Sequence, residues 1–189
     1  MDAVEALAAA AGIELGAGPG PDWETVERSL DGLSLPKDYK RLVDGFPHGR
    51  FKELVMVIRP GIQGGSWDDY LGYYASSLDT IRAWRAGGFG TYPYPLYPEE
   101  GGLLPWGASP RASLFFWLTE GADPDAWTVV WADEAYEKWG AFPGTMSEFL
   151  LKVVNDSPAG MAELAAGDLT TNPVFRAFGP GYVVERPRE

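Results

Sequence analysis

The side chains that could do chemistry in this chain are mostly carboxylates. Between positions 99 and 137 there are eight acidic residues and a single basic one, Arg111. Grouped carboxylates can hold a cation, act as acid and base, or attract a basic protein. They can also be ordinary solvated turn residues, and this alternative stays open. The eight are Glu99, Glu100, Glu120, Asp123, Asp125, Asp133, Glu134 and Glu137.

Six of these acids flank two predicted neighbouring strands. Three fall in the turn between the strands and three follow the second strand, so we predict that strand pairing gathers them on one rim of a sheet. A clustered negative field speeds association with a basic protein. The predicted partner-binding residues are therefore Glu120, Asp123, Asp125, Asp133, Glu134 and Glu137.

Other candidates for catalysis or metal binding are few. Asp68 and Asp69 are paired carboxylates that can bind a cation, but two acids in a first helical turn also suit the helix dipole. His48 is the single histidine and is predicted to be an exposed loop residue, which disfavours a His-based triad or a His-rich metal site. The glycine-rich segment 61–66 lacks the lysine of a phosphate-binding loop, and cysteine is absent. We therefore predict no metal and no cofactor.

Length, composition and charge restrict the class of protein. The 189 residues suit one domain, and 46% hydrophobic residues with eight tryptophans can fill a large core. The formal net charge of −12 repels nucleic acid and anionic membranes, and it either attracts a basic partner or simply keeps the chain soluble. The first residues lack the basic region of a secretory signal, and no apolar run approaches the ~20 residues that span a bilayer. With no cysteine, this predicts a cytoplasmic protein that binds neither nucleic acid nor membrane.

The hydrophobic pattern predicts helices first, strands in the middle and a further helix. Helices are predicted over residues 3–11, from Trp23 after an Asp22 cap, after Pro36, and over much of 67–86. A strand is predicted over 54–58, and Tyr92–Pro98 is predicted to be extended. A short strand at Leu103 and Leu104 is predicted to end at Pro105. An antiparallel hairpin of strands 113–120 and 127–133 follows, and then a helix from the Thr145 capping box.

This order predicts an α+β fold whose sheet is mainly antiparallel, or mixed, and is flanked by helices. We divide the chain into an N-terminal helix and linker (1–21), an α+β domain (22–155) and a C-terminal extension that packs on the domain (156–189). Core packing is the favoured role of Trp117, Trp127 and Trp131 over that of binding anchors. The residues predicted to be buried are Trp23, Tyr39, Leu42, Trp117, Val129, Phe149 and Leu150.

Several short motifs occur in an order that resembles the SUKH superfamily, from about Trp23 to Val154. The resemblance implies an α+β domain with a mixed sheet flanked by helices and no enzyme activity. Many bacterial members are immunity proteins that bind and block toxins, often nucleases or deaminases, and eukaryotic members are regulatory scaffolds. Binding surfaces vary with the partner, so no site residue is carried over. The motifs are Trp23 and Glu27, Leu35-Pro36-Lys37-Asp38-Tyr39, Leu103-Leu104-Pro105-Trp106-Gly107, Trp117, Asp123-Pro124-Asp125, Trp127-Thr128-Val129-Val130-Trp131, and Phe149-Leu150.

We therefore expect a non-enzymatic immunity protein that neutralises a basic toxin domain. A regulatory scaffold and a small-ligand-binding module that uses Tyr92–Tyr97 are the alternatives. A carboxylate-dependent enzyme, with Asp68, Asp69 or the hairpin acids as catalytic groups, is the third. Convergent carboxylates in a deep pocket would favour the enzyme, and an apolar cleft under Tyr92–Tyr97 would favour the ligand binder.

Overall fold

The computed structural model describes residues 1–16, 20–60, 67–156, 164 and 169–178. Within these ranges the chain forms helices and one large sheet, which confirms the α+β prediction. The helices are α1 (Ala3–Ala11), α2 (Trp23–Ser29), α3 (Lys37–Gly45), α4 (Trp67–Ala86) and α5 (Met146–Asp156). The strands are β1 (Gly49–Phe51), β2 (Val55–Val57), β3 (Leu103–Ala108), β4 (Leu114–Leu118), β5 (Thr128–Ala132), β6 (Trp139–Phe142) and β7 (Phe175–Ala177).

The sheet has the strand order β6-β5-β4-β3-β2-β1-β7, and every neighbouring pair is antiparallel. A parallel pairing occurs only as an isolated bridge between Leu96 and Leu103 in the described part of the chain. Strand β4 is buried along its whole length, as its continuous apolar sequence predicts for a central strand. The hairpin of β4 and β5 is also confirmed.

Helices cover both faces of the sheet. On one face Trp117 contacts Tyr39 of α3, with ring centroids 5.0 Å apart, and Phe115 contacts Phe149 of α5 at 5.8 Å. On the other face Phe116 stacks on Trp139 at 6.1 Å, beneath α4 and the extended segment that follows it. The predicted core residues are buried, except that Trp23 is half-buried and packs edge-on against Tyr39.

Local capping explains where several helices begin. Asp2 and Glu5 form a capping box at α1, and Asp22 accepts a hydrogen bond from the Thr25 N–H at α2. At α5 the Thr145 N–H donates to the Glu148 carboxylate at 2.9 Å, and the Glu148 N–H donates to the Thr145 hydroxyl at 3.3 Å. The predicted capping box at Thr145 is therefore confirmed.

Strand β3 does not end at Pro105. It continues to Ala108 because the register shifts between Pro105, which faces Phe116, and Gly107, which faces Phe115. Such a bulge accommodates a residue that has no N–H to donate to the ladder. The short strands β1, β6 and β7 were not predicted, since none of them has a clear alternating pattern.

Helix α1 and the last described segment, residues 169–178, pack into the same hydrophobic core. Val4 and Leu7 of α1 are buried against α3 and α5, so α1 is an integral part of the domain. At the other end, β7 pairs with β1, and the Phe175 ring lies 4.9 Å from that of Phe51. Val174, Phe175 and Phe178 of the C-terminal extension pack against this core, whereas Tyr182 and Val183 lie outside the described residues. None of the described helices is long and apolar enough to cross a bilayer.

Candidate partner-binding site

The six predicted partner-binding acids lie in two groups at opposite ends of β5. Glu120, Asp123 and Asp125 belong to the β4–β5 loop that precedes the strand. The second group, which consists of Asp133, Glu134 and Glu137, follows the strand. The five residues of β5 span about 13 Å at the usual rise of a strand. Successive turns of an antiparallel meander alternate between the two ends of a sheet, so the six acids do not form one rim.

The first group is enlarged by two acids from a neighbouring turn. The Thr119 N–H and hydroxyl both donate to the Gly102 carbonyl, at 3.2 and 2.8 Å, and the Glu120 side chain lies against Gly101. This contact places the turn containing Glu99 and Glu100 beside Glu120. We call the surface formed by Glu99, Glu100, Glu120 and Asp123 the acidic end.

All four carboxylates of the acidic end are exposed, and none forms an ion pair within the described part of the chain. The pairing of β3 with β4 brings the two turns together. Glu99 and Glu100 were counted as acids in the sequence but were not assigned to the site. A predicted antiparallel pairing of Leu103 with Leu118 would have identified them.

Asp125 has a structural role at this end of the sheet. Its carboxylate accepts hydrogen bonds from the backbone N–H and from the ammonium group of Lys37, both at 2.7 Å. Asp125 therefore caps the first turn of α3 from a distant loop. The side-chain hydrogen bond from Lys37, and then the backbone one, hold the pKa of Asp125 below its ordinary value. Because Lys37 offsets its charge, Asp125 is not counted in the acidic end.

Asp123 orders the loop in which it lies. Its side chain accepts a hydrogen bond from the Asp125 N–H at 3.1 Å and begins the short helical turn Pro124–Ala126. The side chain nevertheless stays exposed to solvent. Asp123 is thus a carboxylate held in place by its own loop.

The second group is built around a tight turn between β5 and β6. Asp133 accepts hydrogen bonds from the backbone N–H groups of Glu137 at 2.8 Å and Lys138 at 3.2 Å, so its carboxylate stabilises the turn. Glu134 and Glu137 point to solvent on either side of buried Tyr136. The exposed carboxylates at this end are therefore those of Glu134 and Glu137.

Two clefts lie along α3, and carboxylates that line them accept hydrogen bonds from backbone or indole N–H groups of the protein itself. In a cleft of about 310 Å³, Asp2, Asp38 and Glu148 each accept a backbone hydrogen bond at a helix start. In a cleft of about 440 Å³, Asp44 accepts one from the Trp23 indole. None of the six predicted acids lines either cleft.

The remaining catalytic candidates contribute no site in the described part of the chain. Asp68 and Asp69 lie in the first turn of α4, but their side chains are outside the described residues, as is the glycine-rich segment 61–66. No group of three His, Asp or Glu side chains among the described residues could hold a metal ion.

His48 lies in the loop between α3 and β1, as predicted, but it is not exposed. It is half-buried, its carbonyl accepts a hydrogen bond from the Phe178 N–H at 2.9 Å, and its ring meets the edge of the Phe178 ring at 4.8 Å. Burial, followed by the charges of Arg59 and Arg50, lowers the pKa of His48 to about 4. The prediction of exposure was wrong because β7, which brings Phe178 over the imidazole, is distant in sequence.

The aromatic segment proposed for ligand binding takes part in core packing. Tyr92 stacks on Tyr136 with ring centroids 5.7 Å apart, and Tyr94 meets Trp139 at 5.9 Å. The Tyr97 hydroxyl donates to the Leu30 carbonyl at 2.8 Å. These contacts attach the segment to the sheet and to the end of α2.

The motif at residues 35–39 fastens separate parts of the fold together. The Leu35 N–H donates to the Glu27 carboxylate at 2.8 Å, and the Tyr39 hydroxyl donates to the Ile58 carbonyl at 2.7 Å. Lys37 is bound by Asp125, and Asp38 accepts from the Ser147 N–H. The motif therefore has a structural explanation in this chain.

Comparison with known proteins found no matching family model, no matching curated protein and no matching solved structure. The resemblance to the SUKH superfamily thus stays a prediction from the sequence motifs. The fold and the site themselves define an acidic α+β domain that presents exposed carboxylates on ordered turns.

Proposed function

We propose that this chain is a non-enzymatic, cytoplasmic protein-binding domain whose acidic end binds a basic partner. The observation that carries this proposal is the set of four exposed carboxylates without ion pairs in the described part of the chain. The resemblance to the SUKH superfamily adds the class of partner, a toxin domain with nuclease or deaminase activity. The chain would then act as its immunity protein.

The proposed mechanism is electrostatic. A toxin that acts on nucleic acid needs a positive cleft for its substrate, and an acidic protein can cover such a cleft. Clustered carboxylates raise the association rate with a positive surface, and salt screens this attraction with a Debye length of about 8 Å at physiological ionic strength. The domain would block the toxin by occupying its substrate site.

The order of the acidic end favours tight binding. The backbone before Glu120 is fixed by the hydrogen bonds of Thr119, and the Asp123 carboxylate accepts a hydrogen bond within its own loop. Carboxylates that are already positioned lose less conformational entropy when a partner binds. A mobile acidic tail of the same charge would lack this advantage.

The direct test uses the genomic neighbourhood. If the adjacent reading frame encodes a large secreted protein, its C-terminal domain should be co-expressed with this chain. We expect the two to copurify and the host cells to survive, whereas the toxin domain alone arrests growth. A toxic neighbour that neither binds this chain nor loses toxicity in its presence would contradict the proposal.

A pair of charge-reversal variants then tests the surface. E99K/E120K changes the acidic end, and E14K/E24K makes the same change in net charge at exposed positions elsewhere. We expect E99K/E120K to slow association at low salt about tenfold or more, and E14K/E24K to slow it much less. Equal association rates for the two variants would place the interface elsewhere.

A further inference from the structure

A second exposed surface lies at the opposite end of β5, where α4 ends beside the β5–β6 turn. Among the described residues Trp84 is 40% exposed and Phe89 is 66% exposed, which is unusual for large apolar side chains. Glu134 and Glu137 are exposed on the adjoining turn. We call Trp84, Phe89, Tyr136, Glu134 and Glu137 the aromatic corner.

The Trp84 ring and the backbone at Phe89 are held in a defined arrangement. Gly88, with a φ of 76°, turns the chain after α4, and the Phe89 N–H donates to the Trp84 carbonyl at 3.0 Å. The Trp84 ring meets the Tyr136 ring edge-on at 5.8 Å. The Trp84 ring is therefore packed before any partner binds, and the backbone at Phe89 is fixed beside it while the Phe89 ring stays exposed.

The acidic turn is fastened directly to the loop that carries Phe89. The Thr91 N–H donates to the Tyr136 carbonyl at 2.8 Å, and Gly90 lies so close to the Ala135 carbonyl that a side chain on it would collide. Glu134 and Glu137 flank these two contact residues in sequence. Carboxylates and exposed aromatic faces therefore occur together at this corner.

The charges at the corner favour a cationic group between the rings and the turn. Asp133, Glu134 and Glu137 are the local acids, and Arg85 and Lys138 are the local bases. Lys138 adjoins the Asp133 cap, and Arg85 lies near Tyr92, so the three acids and two bases leave one net negative charge at the corner. Glu134 and Glu137 form no ion pair within the described ranges. Their carboxylates are therefore available to bind a cationic group of a partner.

We propose that the aromatic corner binds an arginine-rich segment of the basic protein partner. A guanidinium plane stacks on an aromatic face and at the same time donates hydrogen bonds to a carboxylate, which an ammonium group does less well. Trp84 and Phe89 supply the faces, and Glu134 and Glu137 supply the acceptors. The inference rests on the proposed function because both assume a basic protein partner. Its test does not need the toxin.

The test is calorimetric titration of the whole chain with a short peptide of alternating Arg and Gly and with the matched Lys peptide. We expect the Arg peptide to bind more tightly. W84A/F89A, which leaves the net charge unchanged, should weaken binding of the Arg peptide about five- to thirtyfold, and that of the Lys peptide much less. E134Q/E137Q should weaken both peptides more than the charge-matched E14Q/E24Q does.

Three results would overturn the inference. They are no binding of either peptide, equal binding of both by the wild-type chain, and undiminished Arg-peptide binding by W84A/F89A. Binding to phospholipid vesicles that W84A/F89A abolishes, without peptide binding, would assign the corner to a lipid surface instead. F89S, at the more exposed ring, repeats the test should W84A/F89A fail to fold. The peptide titration contains no toxin, so its failure would contradict this inference alone. Failure of the co-expression test would contradict the proposed function instead.

Discussion

The Asp38 carboxylate accepts a hydrogen bond from the backbone N–H of Ser147 at 2.8 Å and joins the first turns of α3 and α5. The two residues are 109 positions apart, and Ser147 is buried. The second oxygen of Asp38 accepts from the Tyr39 N–H at 2.7 Å. One side chain thus satisfies donors on both helices that pack against the same face of the sheet.

We predict that D38A lowers the free energy of unfolding by about 1–3 kcal/mol, because it leaves a buried N–H without its acceptor. D38N keeps one carbonyl oxygen and should lose less. Urea unfolding of the two variants measures the difference. A D38A protein as stable as the wild type would show that water replaces the carboxylate without cost.

Asp125 should stabilise the fold more through its hydrogen bond from the Lys37 backbone N–H than through its ion pair with the Lys37 ammonium group. D125A removes the acceptor of the Lys37 N–H and should cost about 0.5–2 kcal/mol. K37A removes only an exposed ammonium group, since its backbone N–H remains, and should leave stability nearly unchanged. Thermal or urea unfolding distinguishes the two variants, and equal losses would contradict this assignment.

The pH dependence of the same cap follows from the lowered pKa of Asp125. Its carboxylate stays ionised in the folded protein at a pH where the unfolded chain is already protonated. The stabilisation is therefore complete above the ordinary pKa of about 3.9 and is lost as pH falls through the lowered folded value. The stability difference between wild type and D125A should shrink across that acidic range.

The imidazole signals of His48 can be followed by NMR without overlap, because it is the single histidine of the chain. We predict an NMR titration with a pKa of about 4 in the folded protein and a value near 6.5 in urea. The unfolded state then binds more protons between these values, so this residue lowers stability as pH falls from 6.5 to 4. F178A should raise the folded pKa, and a native pKa near 6.5 would refute the burial of the imidazole.

Gly140 is required beneath the Trp131 ring. A methyl group at this position would lie 2.2–2.4 Å from atoms of the indole, which faces Gly140 across β5 and β6. We predict that G140A costs about 1–3 kcal/mol, since the ring must move. The cost should largely disappear in a W131A background, and an unfolding double-mutant cycle tests this coupling. Additive effects of the two substitutions would contradict it.

The sequence by itself determined the elements that depend on neighbouring residues. Asp22 and the Thr145–Glu148 box predicted where α2 and α5 begin, because caps act within three residues. The helix predicted over much of 67–86 ends at Ala86, where Gly87 and Gly88 follow. The apolar run of β4 and the short loop after it predicted a central hairpin.

The tertiary structure alone decided features that depend on pairing between distant residues. Strands β1 and β7 are short and unpatterned, and their mutual pairing is what buries His48 beside Phe178. The alternation of turns in the sheet separated the six predicted acids and brought Glu99 and Glu100 beside Glu120. Caps and hydrophobic periodicity act over a few residues, whereas strand order is fixed only when the whole core packs. The sequence therefore shows which acids the chain carries, and the sheet decides which of them lie together at one exposed end.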